Sequence, residues 1–363
     1  MLHVLLACGL IASAATGGQP PVATVTLPPA VKTLGQALAS IQAQTGLTLT
    51  TTLDPKRPLS CGHDPHNFWE LLDSVAKQTG GRFTINSKGR GACLNNDPLR
   101  FVLPNPPVTI DGAFRVAAKQ LASRRDFDSG LSVTELTLAV HWDPRLPVFR
   151  IDSGPRGTVA VNIRGGLGGP EFKASQGDLT LSVGKQAVSG SEFFSVVRVP
   201  QLGQPVPIGG GRDAVTSATS LSLTGKFTVT AAARMLQFRV ADTTKPTTLT
   251  QEGVTFTLQA PRKVGDRWDV PVELVYPPSK VEFESFEAGV WLSRNRLQLI
   301  DPAGKPLEPM NEDFRESPGK ANLVYRFPAG KLPADRAGWS LLYETPSPLV
   351  EFDIAFTLDI PLP

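Results

Sequence analysis

Two stretches near the amino terminus carry the same pattern of hydrophobic and polar positions, thirty-four residues apart. Hydrophobic residues recur at i, i+3, i+4 and i+7 in each stretch, which is the spacing of one buried stripe on an α-helix. The stripe residues are Leu34, Ala37, Leu38 and Ile41 in the first copy, and Phe68, Leu71, Leu72 and Val75 in the second. The pattern predicts two amphipathic helices, each followed by a short strand.

The ends of both stretches support these helices. Each start has the spacing of a capping box, in which two side chains satisfy free backbone N–H groups. The pairs are Thr33 with Gln36, and Asn67 with Glu70. A glycine, which tolerates the left-handed conformation, follows each helix at Gly46 and Gly80. Short strands are predicted at residues 22–27, 47–51, 82–85 and 92–94, so the expected order is β-α-β followed by β-α-β-β.

Beyond residue 104 the pattern changes to strict alternation. Val350, Phe352, Ile354, Phe356, Leu358 and Ile360 form one such series, with Glu351, Asp353, Thr357 and Asp359 on the other face. Many short alternating segments with 33 glycines and 33 prolines favour antiparallel strands joined by turns. The predicted fold class is an α+β amino-terminal module at 22–103, in which β-α-β is repeated. Two antiparallel β-sandwich domains are predicted to follow, at 104–245 and 246–363.

The charge balance argues against nucleic acid as a partner. The chain has 36 Lys and Arg residues against 33 Asp and Glu residues, a net charge of +3. Its basic clusters are no longer than Arg124-Arg125 or Arg262-Lys263. A surface that follows a phosphate backbone needs a larger basic patch.

The first residues predict export. An apolar run precedes Ala12-Ser13-Ala14, a cleavage site of the small-x-small type, so residues 1–15 are interpreted as a signal peptide. Leu5-Leu6-Ala7-Cys8 leaves open a lipid anchor at Cys8. No later apolar run reaches eighteen residues, so no membrane-spanning helix is expected in the mature chain.

The doubled helix with its Thr-Gly ending resembles the short N-terminal domain of secretins and TonB-dependent signalling receptors. The resemblance covers about residues 22–103 and depends on Leu34 to Leu49 and Phe68 to Ile85. It implies a periplasmic docking domain that contacts an envelope protein and is not an enzyme. A tetratricopeptide array has a similar period, but it needs two helices per repeat and at least three copies.

Cysteine usage leaves two interpretations open. Once Cys8 is removed with the signal peptide, Cys61 and Cys93 form an even pair, which predicts a disulfide in an exported protein. A tetrahedral metal site built from Cys61, His63, His66 and Cys93 is the alternative.

Other candidate chemistry is sparse. Trp268, Trp291 and Trp339 are candidates for a glycan-binding platform, although alternation favours burial of Trp339. Glu282, Glu284 and Glu287 are candidates for glycoside cleavage, against the simpler interpretation of a solvated sheet edge. No nucleophile motif accompanies the few histidines, and no catalytic residue or cofactor is predicted.

The sequence therefore predicts a non-enzymatic, exported protein of a bacterial periplasm or cell envelope. It would dock to an envelope protein of unknown identity through the amino-terminal module. One alternative is a glycan-binding or glycan-cleaving β-sandwich protein. A second alternative is a structural envelope protein that self-associates through the edges of its sandwiches.

Overall fold

The computed structural model describes residues 24–361, apart from 61, 63, 86–90, 97–106, 126–127, 129–131, 153–158, 166–171, 175–179, 182–184, 189–190, 201–217, 279–291, 293, 318 and 334–335. This part of the chain is mostly β, with antiparallel sheets following two helices. Three separate hydrophobic cores lie along it. The amino-terminal elements are α1 (Leu34–Thr45), β1 (Thr48–Thr51), α2 (Phe68–Thr79), β2 (Gly81–Ile85) and β3 (Gly91–Asn96).

Both helices begin and end where the sequence predicts. The side-chain amide of Gln36 accepts a hydrogen bond from the Thr33 N–H, and the Glu70 carboxylate accepts one from the Asn67 N–H. Gly46 and Gly80 adopt the left-handed conformation, each with a φ of 69°. All eight predicted stripe residues are buried, and so is Trp69, which lies outside the stripe.

The helices pack on a three-stranded sheet in the order β1-β3-β2, in which β1 is parallel and β2 antiparallel to β3. Ala92 and Leu94 of β3 face the helices and are buried. The prediction of a strand at 22–27 is corrected by the structure. In the described part of this segment, Val25 forms only an isolated bridge to His66. Backbone hydrogen bonds of 2.9 and 3.0 Å join the two residues, so the chain before α1 is fixed to the chain before α2.

A first sandwich follows this module. Its strands are β4 (Val108–Asp111), β5 (Phe114–Arg125), β6 (Ser132–Trp142), β7 (Val148–Asp152), β8 (Val159–Gly165), β9 (Phe172–Ala174), β10 (Thr180–Leu181), β11 (Lys185–Ala187), β12 (Glu192–Pro200) and β13 (Ala218–Ala232). One sheet has the order β10-β12-β6-β5-β4, and the other is built around β13, with β7, β8, β9 and β11. Side chains from both sheets form one shared core.

The second sandwich is inserted into the first. Its strands are β14 (Met235–Val240), β15 (Thr247–Gln251), β16 (Val254–Leu258), β17 (Arg262–Val264), β18 (Arg267–Val275), β19 (Arg296–Ile300), β20 (Pro306–Leu307), β21 (Asn311–Ser317), β22 (Lys320–Pro328) and β23 (Ser340–Pro346). One sheet has the order β14-β23-β19-β20 and the other β15-β16-β18-β22-β21, with β17 beside β18.

The last strand, β24 (Leu349–Pro361), returns to the first sandwich and pairs with β13 from Ser220 to Ala232. The rings of Phe227 and Phe356 stack across this pair, with centroids 5.1 Å apart. The predicted boundary at 245/246 therefore differs from the observed arrangement. The second sandwich covers 235–346, and the first is completed by the carboxyl-terminal strand.

Two adjacent connections join the sandwiches. Ala232 lies opposite Leu349, and Met235 lies opposite Pro346 three residues further on. Between these pairs the Ala233 N–H donates to the Pro348 carbonyl, and the Ser347 N–H donates to the Arg234 carbonyl. The chain thus enters and leaves the insertion as one hydrogen-bonded ribbon.

Candidate functional site

The strongest cluster of charged and aromatic side chains lies where the amino-terminal module meets the first sandwich. Strands β4, β5, β6 and β12 present Ile110, Arg115, His141 and Glu192 in neighbouring register positions, on the face directed away from the sandwich core. Ile110 packs against the core of the module. We name this cluster, together with Trp69 and Asp73 of α2, the module contact.

An ion pair anchors α2 to the sheet. The Nε of Arg115 lies 2.9 Å from Oδ2 and 3.2 Å from Oδ1 of Asp73. The Arg115 side chain is mostly buried, whereas that of Asp73 is partly exposed. A partly exposed pair of this kind contributes modestly to stability, but its geometry fixes the rotation of α2 against β5.

An aromatic contact lies beside this ion pair. The Trp69 indole is tilted against the His141 imidazole, with ring centroids 5.4 Å apart, and the Arg115 guanidinium lies 6.0 Å from the indole centroid. Ala117 and Ala139 share the sheet face with His141 and are both buried. Small side chains at these positions leave room for a helix that carries a tryptophan.

His141 is also bound from within the sheet. Its Nε2 lies 3.0 Å from Oε1 of Glu192, and the Lys119 ammonium lies 3.7 Å from the same oxygen. Burial lowers the pKa of His141 below its ordinary value of 6.5, and the nearby cations of Arg115 and Lys119 act in the same direction. The hydrogen bond from His141 is the main reason that the pKa of Glu192 is also lowered.

Two buried polar atoms of the module contact are unsatisfied. Nδ1 of His141 and Nε1 of Trp69 have no hydrogen-bond partner within the described part of the chain. In the neutral ring with a proton on Nε2, Nδ1 is an acceptor, and a proton added there would be a buried donor without an acceptor. The contact can therefore respond to protonation.

Of the predicted cysteine and metal residues, the structure describes His66 and Cys93. Cys93 is a free thiol, and its Sγ lies 3.2 Å from Oδ1 of Asn95, so the structure does not bear out the predicted disulfide. Cys61 and His63 lie outside the described residues. Cys93 lies on the face of β3 directed away from the helices, opposite to Ala92 and Leu94. No group of three metal-ligating residues occurs among the described residues.

Of the candidate glycan-binding and glycan-cleaving residues, the structure describes only two tryptophans. Trp268 and Trp339 are 7% and 9% exposed and belong to the core of the second sandwich, so they form no surface platform. The Arg336 guanidinium covers the Trp268 ring at 4.6 Å. Trp291 and the Glu282, Glu284 and Glu287 cluster lie outside the described residues.

The comparisons identify no family. Neither a protein-family model nor a curated protein matches the chain. Among solved structures, the chain is similar to the crystal structure of the conserved domain protein from Bacillus anthracis, with 8% sequence identity and a TM-score of 0.17. That alignment covers 70% of this chain and 89% of the other, but a similarity this weak carries no argument about fold or function. Within the part of the chain that the structure describes, no helix is both long and apolar enough to span a membrane.

Proposed function

We propose that this chain is an exported, non-enzymatic protein of a bacterial cell envelope that binds a partner protein through its amino-terminal module. The predicted signal peptide and the resemblance to the short N-terminal domain of secretins and TonB-dependent receptors support export and docking. The first sandwich holds the module in place.

The observation that carries this proposal is the way in which the module is held. Helix α2 is fixed to the first sandwich through Trp69 and Asp73, so this side of the module is already occupied. The opposite side of the module is the face of its sheet that points away from the helices. A fixed support on one side leaves this outer sheet face available for a partner.

The outer sheet face is polar. It consists of Thr48, Thr50, Arg82, Thr84, Cys93 and Asn95, of which the first four are exposed. Asn95 donates to the Thr84 hydroxyl at 3.0 Å and accepts from the Cys93 thiol, so the middle of the face is held in one arrangement. Short, mutually ordered polar side chains lose little conformational entropy when they bind another protein.

Capture from envelope extract with single-residue variants tests the proposal. Thr48→Arg and Thr50→Arg place a bulky cation on the outer sheet face, and we expect both to lose the proteins captured by the wild-type chain. Ala43→Arg places the same charge on the exposed side of α1 and is the matched control. Point variants are preferable to removal of the module, because truncation would expose Ile110 and create a new apolar surface. Unchanged capture by both threonine variants would contradict the proposal.

A further inference from the structure

The second sandwich has an edge strand whose surface is unusual for a solvated edge. β21 is the last strand of its sheet, with β22 as its sheet neighbour. Phe314 on β21 and Met310 just before the strand are 46% and 56% exposed. Among the described strands, β21 has no second neighbour, so its outer backbone N–H and C=O groups offer hydrogen bonds beside this apolar area.

Another strand of the same protein has its edge covered. On the side of β24 away from β13, the Ala355 N–H donates to the Asp111 carboxylate at 2.8 Å, and the Thr357 N–H donates to the Thr109 hydroxyl at 3.2 Å. Side chains of β4 thus occupy backbone groups that a further strand would use.

The position of Phe314 explains its exposure. In the register with β22 it lies opposite Leu323, a core residue, so it belongs to the side of the sheet that faces the sandwich interior. The strand nearest to this edge in the facing sheet is β20, which has only two residues. The ring therefore extends beyond the core that the facing sheet can provide.

We propose that a second copy of this chain occupies the edge, by antiparallel pairing of β21 with β21 about a twofold axis at Phe314. Charge complementarity selects this partner. In that register Asp313 of each copy lies opposite Arg315 of the other copy, and the two Phe314 rings are neighbours on the axis. Both charged side chains are exposed, and Asp313 is 62% exposed even though it accepts a hydrogen bond from Arg326. The pairing forms one continuous sheet across both copies.

Other registers are less favourable. A shift of one residue would exchange the two faces of the sheet, because side chains alternate between faces. A shift of two residues would place either Asp313 opposite Asp313 or Arg315 opposite Arg315 on the axis. The chosen register also brings Glu312 opposite Glu316, but these like-charge pairs lie near the strand ends, outside the central Asp313–Arg315 pairs.

Sedimentation velocity of the full chain over a range of concentrations tests the proposal. We expect the wild-type chain to dimerise reversibly, because a seven-residue strand pair buries less than a standard stable interface. Arg315→Asp and Asp313→Arg each replace two opposite-charge pairs by two like-charge pairs, and each should weaken dimerisation at least about tenfold. An equimolar mixture of the two variants should dimerise again, because one chain then carries aspartate at both positions and the other carries arginine at both.

The mixture is the decisive measurement, because a merely structural effect of either substitution would not be repaired by mixing. Gln251→Asp adds a charge to β15, the opposite edge of the same sheet, and should leave dimerisation unchanged. Thermal unfolding of each variant confirms that it is folded. A wild-type chain that stays monomeric at its highest soluble concentration, a mixture that stays monomeric, or a dimer lost in the Gln251 variant would each overturn the proposal.

Discussion

Arg115 on β5 and Asp73 on α2 are forty-two residues apart in sequence, yet the Arg115 Nε lies 2.9 Å from the Asp73 carboxylate. This ion pair joins two units with separate hydrophobic cores. We expect a double-mutant cycle with Asp73→Asn and Arg115→Gln to give a coupling of about 0.5–1 kcal/mol in the free energy of unfolding, because the pair is partly buried. Denaturant unfolding measures it. Lys226 and Asp353, an exposed pair at 3.8 Å, are the control, and their coupling should be near zero. Equal coupling energies in both cycles would contradict this expectation, because the partly buried pair would then be no stronger than the exposed one.

The module contact should weaken in mild acid. Burial lowers the pKa of His141 in the folded chain below 6.5, so the unfolded chain binds more protons in the interval between the two values. Stability from the neutral imidazole is therefore fully present above about pH 6.5 and is lost as the pH falls through the folded pKa. The pKa of Glu192 is lowered from 4.5, so its contribution is lost only at lower pH. The surrounding charges are Asp73 on α2, Arg115 and Lys119 on β5, and Glu192 on β12.

Unfolding free energy measured between about pH 5 and pH 8 tests this dependence. The wild-type chain should lose stability below about pH 6.5. His141→Gln, which keeps a hydrogen-bonding side chain but does not titrate, should flatten the curve in that interval. His66→Gln is the matched control, because His66 belongs to the module but lies outside the module contact, and it should leave the wild-type curve in place. If the unfolding free energy of the His141 variant still fell with pH as in the wild-type chain, His141 would not be the cause of the pH dependence.

The helices were predictable because their signals are local. A stripe at i, i+3, i+4 and i+7 and a capping pair three residues apart can be recognised within one turn or two of the chain. The ion pair and ring contact of the module contact have no such signal, since their partners lie on different units. One clue was present in the sequence: Trp69 directly follows the stripe residue Phe68, so a large aromatic side chain lies beside the predicted stripe.

The return of the last strand could not be predicted for a different reason. The alternation of Val350 to Ile360 indicates one buried face, but it does not indicate which of two sandwiches buries it. β13 has the same alternation and lies more than a hundred residues earlier, so only the fold shows that the two strands are partners. The sequence predicted the number of sandwiches but not the insertion of one into the other.

The free thiol of Cys93 gives a direct chemical prediction. In the structure this thiol bonds to Asn95 and has no sulfur partner, so we expect mass spectrometry after denaturation and alkylation, without reductant, to find Cys93 alkylated. Cys93→Ser should change the free energy of unfolding by less than about 1 kcal/mol, because a hydroxyl can replace the thiol in this half-buried hydrogen bond. A peptide containing Cys93 that is alkylated only after reduction would restore the disulfide predicted from the cysteine count.

Phe356→Ala tests which sandwich contains the last strand. Phe356 is 2% exposed and stacks on Phe227 of β13, so loss of its ring should cost about 3–5 kcal/mol in the free energy of unfolding. Hydrogen exchange should accelerate in β13 and β7 of the first sandwich, because these strands share the core from which the ring is removed. Phe256→Ala is the matched control, since Phe256 is equally buried in the second sandwich and its loss should accelerate exchange in β16 and β18 instead. If the Phe356 variant loosened β18 and left β13 protected, residues 349–361 would belong to the second sandwich, as the predicted boundary at 245/246 implies.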